Sequence, residues 1–188
     1  MALATVTEGA ADTVFGNTTQ GIDADVLKID GTQVTATAAE LNRAADVSGR
    51  LIAGGSALAV TVAAHDGKTI LLDTAAGTTC TLPASSGSGA RFRFVISTVA
   101  TSNSHIIKVA NATDVMAGFA LVAQDAGDTA VLFETASTSD TITLNRTTTG
   151  STQKGEFFEL EDIGANLWRV YGVFAATGTE ASPFSAAV

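Results

Sequence analysis

Cysteine, proline, tryptophan and tyrosine are nearly missing from this sequence of 188 residues, which has one cysteine, two prolines, one tryptophan and one tyrosine. The single cysteine, Cys80, excludes an internal disulfide framework. It lies among threonines in the stretch TTCTLP, a composition typical of a strand. Because a nucleophilic cysteine would require a histidine partner, we expect Cys80 to be a small buried side chain.

Positive charge is also scarce. Ten Lys and Arg stand against 19 Asp and Glu, which gives a formal net charge of −9, and the basic residues form no cluster. Nucleic acid is therefore not an expected partner, because nothing would neutralise its phosphates. No apolar run approaches the roughly 18 residues of a membrane-spanning helix, and the first residues lack the basic and apolar regions of a signal peptide. We expect a soluble chain with no membrane partner.

Hydrophobic residues make up 46% of the sequence, whereas charged residues make up 15%. This balance argues against a disordered chain. Since so few charges are available to cover the surface of a folded monomer, we expect part of that surface to be buried against copies of the chain or against a partner.

Residues 1–36 show neither a helical period nor a dense strand pattern. They are small and polar, with glycine interruptions and isolated apolar residues that a solvated tail gains nothing from. We interpret them as an extended N-terminal arm that lies over another protein. The candidate contact residues of this arm are Val14, Phe15, Val26, Leu27 and Ile29.

A helix start follows the arm. Thr37 and Glu40 have the spacing of a capping box, in which each side chain accepts a hydrogen bond from the other residue's amide. Strong helix formers from Ala38 onward and a stop at Gly49 predict a helix of about three turns, ending near Val47. Residues 37–50 are therefore predicted to be a short capped helix and a linker.

Residues 51–188 consist of short β-prone runs separated by turn residues, among them ALAVTVA, TILLD, ARFRFVIST and NLWRVYGVFAA. In ARFRFVIST the alternation predicts residues 92, 94 and 96 on one face and 91, 93 and 95 on the other. No helical pattern alternates with these runs, which excludes an α/β sheet. We predict an all-β fold: a β-sandwich or jelly-roll-like body after the arm and one short helix.

Candidate reactive groups are few. His65 and His105 lie outside any nucleophile or metal-ligand motif. The acidic residues of GEFFELED, numbers 155–162, favour the solvated face of a strand over a glycosidase pair. SSGSGAR leads into a strand and is not a predicted phosphate site, and GIDADVLKIDG lacks the glycine and distal glutamate of a calcium loop. We predict no catalytic residue, no cofactor and no metal.

The segment DGTQVTATAAELNRAADVS, above all residues 31–42, resembles one that recurs in tailed-bacteriophage head decoration and fibre proteins. The stretches DGKTILLDTAAGTTCTLPASSGSGARFRFVI and GEFFELEDIGANLWRVYG resemble the small β domain that often follows it, so the resemblance spans about residues 30–175. It implies a component of a phage particle, usually a homotrimer, with no cofactor and no catalytic residues.

The absence of a long shaft repeat from this sequence favours one branch of that resemblance. We expect a capsid decoration, or cement, protein that is made in the host cytoplasm and binds the major capsid protein on the outer surface of the phage head. The alternative is a short head or tail fibre whose β domain binds a host-surface glycan. Trp168 and Tyr171 are predicted to lie on opposite faces of a strand, and an exposed one beside polar groups at a distal tip would favour the fibre.

Overall fold

The computed structural model of the chain describes residues 28–29, 32–45, 49–125 and 129–188. Its contacts divide the chain into two units, Met1–Ala45 and Asp46–Val188. The three-part division predicted from the sequence, into residues 1–36, 37–50 and 51–188, stays a prediction.

The first unit contains a pair of short strands and a helix. Strands β1 (Lys28–Ile29) and β2 (Thr32–Gln33) pair antiparallel, and the sequence between them, Asp-Gly, is the dipeptide that favours a two-residue hairpin turn. Helix α1 (Ala38–Ala45) follows, and its residue Leu41 is 40% exposed. The predicted helix end near Val47 lies outside the described residues.

The regular elements described in the second unit are strands and one short helix. In chain order its elements are β3 (Leu51–Ala53), β4 (Ala57–Ala59), α2 (Val62–His65), β5 (Lys68–Leu72), β6 (Thr79–Thr81), β7 (Arg91–Ile96), β8 (His105–Lys108), β9 (Val115–Ala123), β10 (Ala130–Glu134), β11 (Thr141–Leu144), β12 (Phe157–Gly164), β13 (Leu167–Ala175) and β14 (Phe184–Ser185).

These strands form a seven-stranded sheet in the order β10-β9-β13-β12-β7-β5-β3 and a five-stranded sheet in the order β14-β11-β8-β6-β4. From β3 to β8 the strands alternate between the two sheets, and each of β3, β4, β5 and β6 pairs in parallel with the strand two positions further along. The later pairings are antiparallel except that of β9 with β13. Both sheets are mixed, and the predicted all-β, sandwich-like fold is confirmed.

The inward side chains of both sheets form one hydrophobic core. The larger sheet contributes Phe92 and Trp168, and the smaller sheet contributes Cys80, Ile107 and Ile142, all at most 1% exposed. The alternation predicted for β7 is confirmed, because residues 92, 94 and 96 are buried while 91 and 93 are exposed. Burying such large apolar side chains is the main favourable term in folding a sandwich of this kind.

Two glycines allow close packing between neighbouring strands at the centre of the larger sheet. Gly118 of β9 has φ of 152°, and a Cβ there would overlap the backbone carbonyl oxygen of Val170. A Cβ on Gly172 of β13 would overlap the ring of Phe158, which lies opposite it in the register of β12 and β13. Only glycine fits at these two positions.

One predicted strand is wrong. The stretch ALAVTVA splits into β4 and helix α2, so the described part of the chain has two short helices instead of one. Thr61 is the N-cap of α2: its hydroxyl accepts from the amide of Ala64 at 3.4 Å, and its own amide donates to His65 Nδ1 at 2.9 Å. These local side-chain bonds satisfy the first turn and outweigh the strand preference of Val62.

Candidate functional site

A buried carboxylate organises the glycine-rich loop at residues 85–89. Asp162, at the inner side of β12, is 2% exposed. Its two oxygens accept hydrogen bonds from the amides of Ser86, Gly87 and Ser88 at 3.0, 2.7 and 3.0 Å, and from the hydroxyl of Ser88 at 2.7 Å. The loop therefore binds an anion through successive backbone amides, and that anion is the chain's own carboxylate.

The ionisation of Asp162 follows from these contacts. Burial opposes the charged form, but the hydrogen bonds from Ser88, Gly87 and Ser86 outweigh it and lower the pKa of Asp162 to about 2. The prediction that the acidic residues of GEFFELED lie on a solvated face is therefore wrong for Asp162. It is wrong for the same reason at Glu156, which is 6% exposed.

Glu156 binds the backbone of a second loop, residues 151–153. Its carboxylate accepts from the amides of Ser151, Thr152 and Gln153 at 2.6, 2.8 and 2.6 Å. Burial raises the pKa of this carboxyl, and the hydrogen bonds oppose that shift without cancelling it. Both buried carboxylates thus have structural partners within the chain.

His105 and Cys80 are also structural. His105 is fully buried; its Nδ1 accepts from the amide of Thr78 at 3.0 Å and its Nε2 donates to the carbonyl of Thr98 at 2.9 Å. Burial lowers the pKa of His105, so the neutral ring bridges the two backbone segments. Burial raises the pKa of Cys80 to about 12, and the prediction that this thiol is a small buried side chain is confirmed.

The capping residues have the hydrogen bonds of a capping box. The Thr37 amide donates to Glu40 Oε2 at 2.7 Å, and the Glu40 amide donates to the Thr37 hydroxyl at 3.2 Å. Of the candidate contact residues, Val14, Phe15, Val26 and Leu27 lie outside the described residues. The backbone of Ile29 lies in β1, where it pairs with Thr32.

The outward face of the seven-stranded sheet is the most distinctive surface of the second unit. One position on each strand lines up, through the strand registers, into a continuous line of apolar side chains. We call this line the apolar row; it consists of Leu132, Leu121, Val173, Phe157, Val95, Leu71 and Ala53. Leu132 and Leu121 are 53% and 39% exposed.

The neighbouring outward positions on β9 and β13 add two aromatic side chains beside one end of the apolar row. Phe119, which is 45% exposed, lies next to Tyr171, with the two ring centroids 5.6 Å apart. The ring of Phe157 also packs against that of Tyr171, with the two ring centroids 6.1 Å apart. Trp168, in contrast, is fully buried and packs on Phe92, so the prediction that Trp168 and Tyr171 lie on opposite faces is confirmed.

This outward face also carries three arginines, and each of them lies beside a glutamate. Arg91 and Arg169 both contact Glu161, at 2.6 and 2.9 Å, and the Arg91 guanidinium lowers the pKa of that carboxyl. Arg93 lies 3.7 Å from Glu159, and its guanidinium is 4.5 Å from the centroid of the Phe157 ring. The face thus combines exposed apolar side chains with internally matched charges.

The described residues contain no group of three or more histidine, cysteine or acidic side chains that could hold a metal ion. Within the same ranges, no helix has the length and apolar character needed to cross a membrane. No family model, no curated protein and no solved structure matches this chain. The fold and this site define an all-β protein with an apolar, charge-matched sheet face.

Proposed function

We propose that this chain is a structural protein of a tailed-bacteriophage virion, namely a capsid decoration (cement) protein. It forms a homotrimer, binds the major capsid protein on the outer surface of the head and stabilises the shell. It requires no cofactor and catalyses no reaction.

The observation that carries this proposal is the apolar row. A row of apolar side chains across all seven strands of one sheet is a surface suited to protein contact, because exposed contiguous apolar area of this kind marks interaction sites. Asp162, Glu156, His105 and Cys80 are all committed to structural contacts. The resemblance of residues 31–42 to phage decoration and fibre proteins supports the same conclusion.

In this proposal the arm attaches the protein to the shell. Each of its apolar side chains would contribute about 1.5 to 3 kcal/mol if buried against capsid subunits, before the cost of ordering the arm. Three symmetric copies would multiply the effect through avidity. The residues concerned are Val14, Phe15, Val26, Leu27 and Ile29.

The test uses the full chain and capsids that lack it. We expect the unaltered chain to bind these capsids in co-sedimentation, and a variant with serine at the five arm positions to bind at least 100-fold more weakly. The matched control carries serine at Thr13, Thr18 and Thr19 and should bind normally. Failure of the unaltered chain to bind would overturn the proposed function, and full binding by the five-serine variant would overturn the role of the arm.

The fibre alternative has one observation in its favour. Tyr171 is half-buried on the outward face with Glu159 opposite it on β12, and an aromatic ring beside a carboxylate is an arrangement that sugar rings bind. Tyr171 lies in the middle of β13, between Phe119 and Phe157, and not at a strand end. Binding of the chain to intact host cells that is lost in Tyr171→Ala would favour the fibre; no binding to cells would favour the decoration protein.

A further inference from the structure

The outward face of the larger sheet has the size of a subunit interface. Seven strands about 4.8 Å apart and four outward lines of side chains about 6.7 Å apart give it an area on the order of 600 Å². A standard protein interface buries about 800 Å² on each partner, and single-copy proteins rarely expose an apolar patch above a few hundred Å². At about 600 Å² per copy the face is smaller than that standard and matches the lower limit of stable interfaces, so assembly would have to cover all of it.

The charge of this face is compatible with a second copy of the chain as the partner. The outward residues of its strands include three arginines, numbers 91, 93 and 169, and three glutamates, numbers 134, 159 and 161, so the face has a formal charge of zero. The whole chain has a charge of −9. Two copies of an acidic chain repel each other, and a charge-neutral face lets them approach without bringing like net charges into contact.

The pairing of the three arginines lowers the cost of burying them. The guanidinium groups of Arg91 and Arg169 are already satisfied by Glu161, and Arg93 by Glu159 and the ring of Phe157. A contact that covers these three arginines leaves each of them beside a carboxylate of its own chain. Because the face has no net charge, it offers no overall electrostatic attraction to a strongly acidic or strongly basic partner.

We infer that copies of this chain associate with one another through the outward face of the seven-stranded sheet, with the apolar row at the centre of the contact. The inference rests on the proposed function for the number of copies, which is three. Leu121 and Leu132, the most exposed large residues of the row, are the central contacts. Tyr171, the only tyrosine in the chain, becomes covered on assembly.

The test compares the unaltered full chain with the double variant Leu121→Glu, Leu132→Glu by sedimentation velocity. We expect the unaltered chain to be a trimer at micromolar concentration and the double variant to be a monomer, with an association constant lowered at least 100-fold. The matched control, Val62→Glu, changes an exposed apolar residue of α2 and should leave the trimer intact. Circular dichroism establishes that each variant is folded.

A second measurement keeps the inference testable if the double variant does not fold. Leu132→Ser replaces one half-exposed residue on the edge strand β10 and should also weaken assembly. Nitration of Tyr171 should be at least tenfold slower in the assembled unaltered chain than in a monomeric variant. A monomeric unaltered chain, or a trimer that persists in both leucine variants with Tyr171 equally reactive throughout, overturns the inference. Capsid binding of the same samples tests the proposed function separately.

Discussion

Phe157 and Phe158 are consecutive residues of β12 with different roles. Phe158 is 1% exposed and stacks on Phe174 in the core, with ring centroids 5.7 Å apart. Phe157 points outward, where it contacts the Tyr171 ring and the guanidinium of Arg93. The inward face of this sheet therefore holds the fold together, whereas the outward face carries the same residue type at the surface.

The acidic residues at the other end of β12 repeat the contrast. Asp162 points inward and is held by a loop more than 70 positions earlier in the chain, whereas Glu161 points outward between two arginines. Both carboxylates are ionised near neutral pH, but one fixes a buried loop and the other matches surface charge. Matched substitutions at these neighbouring positions test whether the two faces differ as described.

The largest effect is expected at Phe158. Phe158→Ala should lower the free energy of unfolding by about 3 to 5 kcal/mol, because it leaves a cavity beside Gly172 and Phe174 that the sheet cannot close. Phe157→Ala, measured in a monomeric background, should cost less than about 1 kcal/mol. Chemical denaturation gives both values, and equal losses for the two variants would contradict the distinction between the faces.

An intermediate effect is expected at Asp162. Asp162→Asn should lower the free energy of unfolding by about 2 to 3 kcal/mol, since an amide has one acceptor oxygen where three backbone amides and two serine hydroxyls now donate to two. Glu161→Gln should have a smaller effect, because its partners are exposed arginines that water can solvate. A loss at Glu161 as large as that at Asp162 would contradict this account.

The pH dependence of stability separates the Asp162 contribution from the rest. The pKa of Asp162 is lowered from 3.8 to about 2, so its stabilisation is present above pH 3.8 and is lost as the pH falls through about 2. Burial raises the pKa of Glu156, whose contribution has the opposite sign and is lost as the pH rises through that raised pKa. The difference in stability between the unaltered chain and Asp162→Asn should therefore shrink between pH 4 and pH 2.

The features that the sequence predicts are those that depend on alternation within one strand. The burial of residues 92, 94 and 96 and the opposite orientations of Trp168 and Tyr171 follow from the two-residue period. The buried carboxylate of Asp162 could not be predicted in this way, because its amide partners lie in a loop that only the fold brings near. The SSGSG composition was the available signal, since small residues let successive amides converge on an anion.

The apolar row is invisible in the sequence for a related reason. Each of its seven members comes from a different strand, and the strands order themselves β10-β9-β13-β12-β7-β5-β3, far from chain order. Neighbours in the row lie between 11 and 62 positions apart in the sequence, so no strand-length pattern brings them together. Helix α2 was missed because the threonine and valine of ALAVTVA favour strands, while the stabilising bond from Thr61 to His65 depends on the helix being formed.

The smallest effect is expected for the outward ion pair of Arg93 and Glu159. Their side chains are 48% and 46% exposed, so a double-mutant cycle with Arg93→Gln and Glu159→Gln in a monomeric background should give a coupling of about 0.2 to 1 kcal/mol. Salt should reduce this coupling, because exposed charges are screened by the solvent. In the assembled chain the same pair would be covered, and its coupling should be larger and less sensitive to salt. Identical couplings in the two backgrounds would show that the assembly leaves this face in water and that its paired charges have no part in the contact.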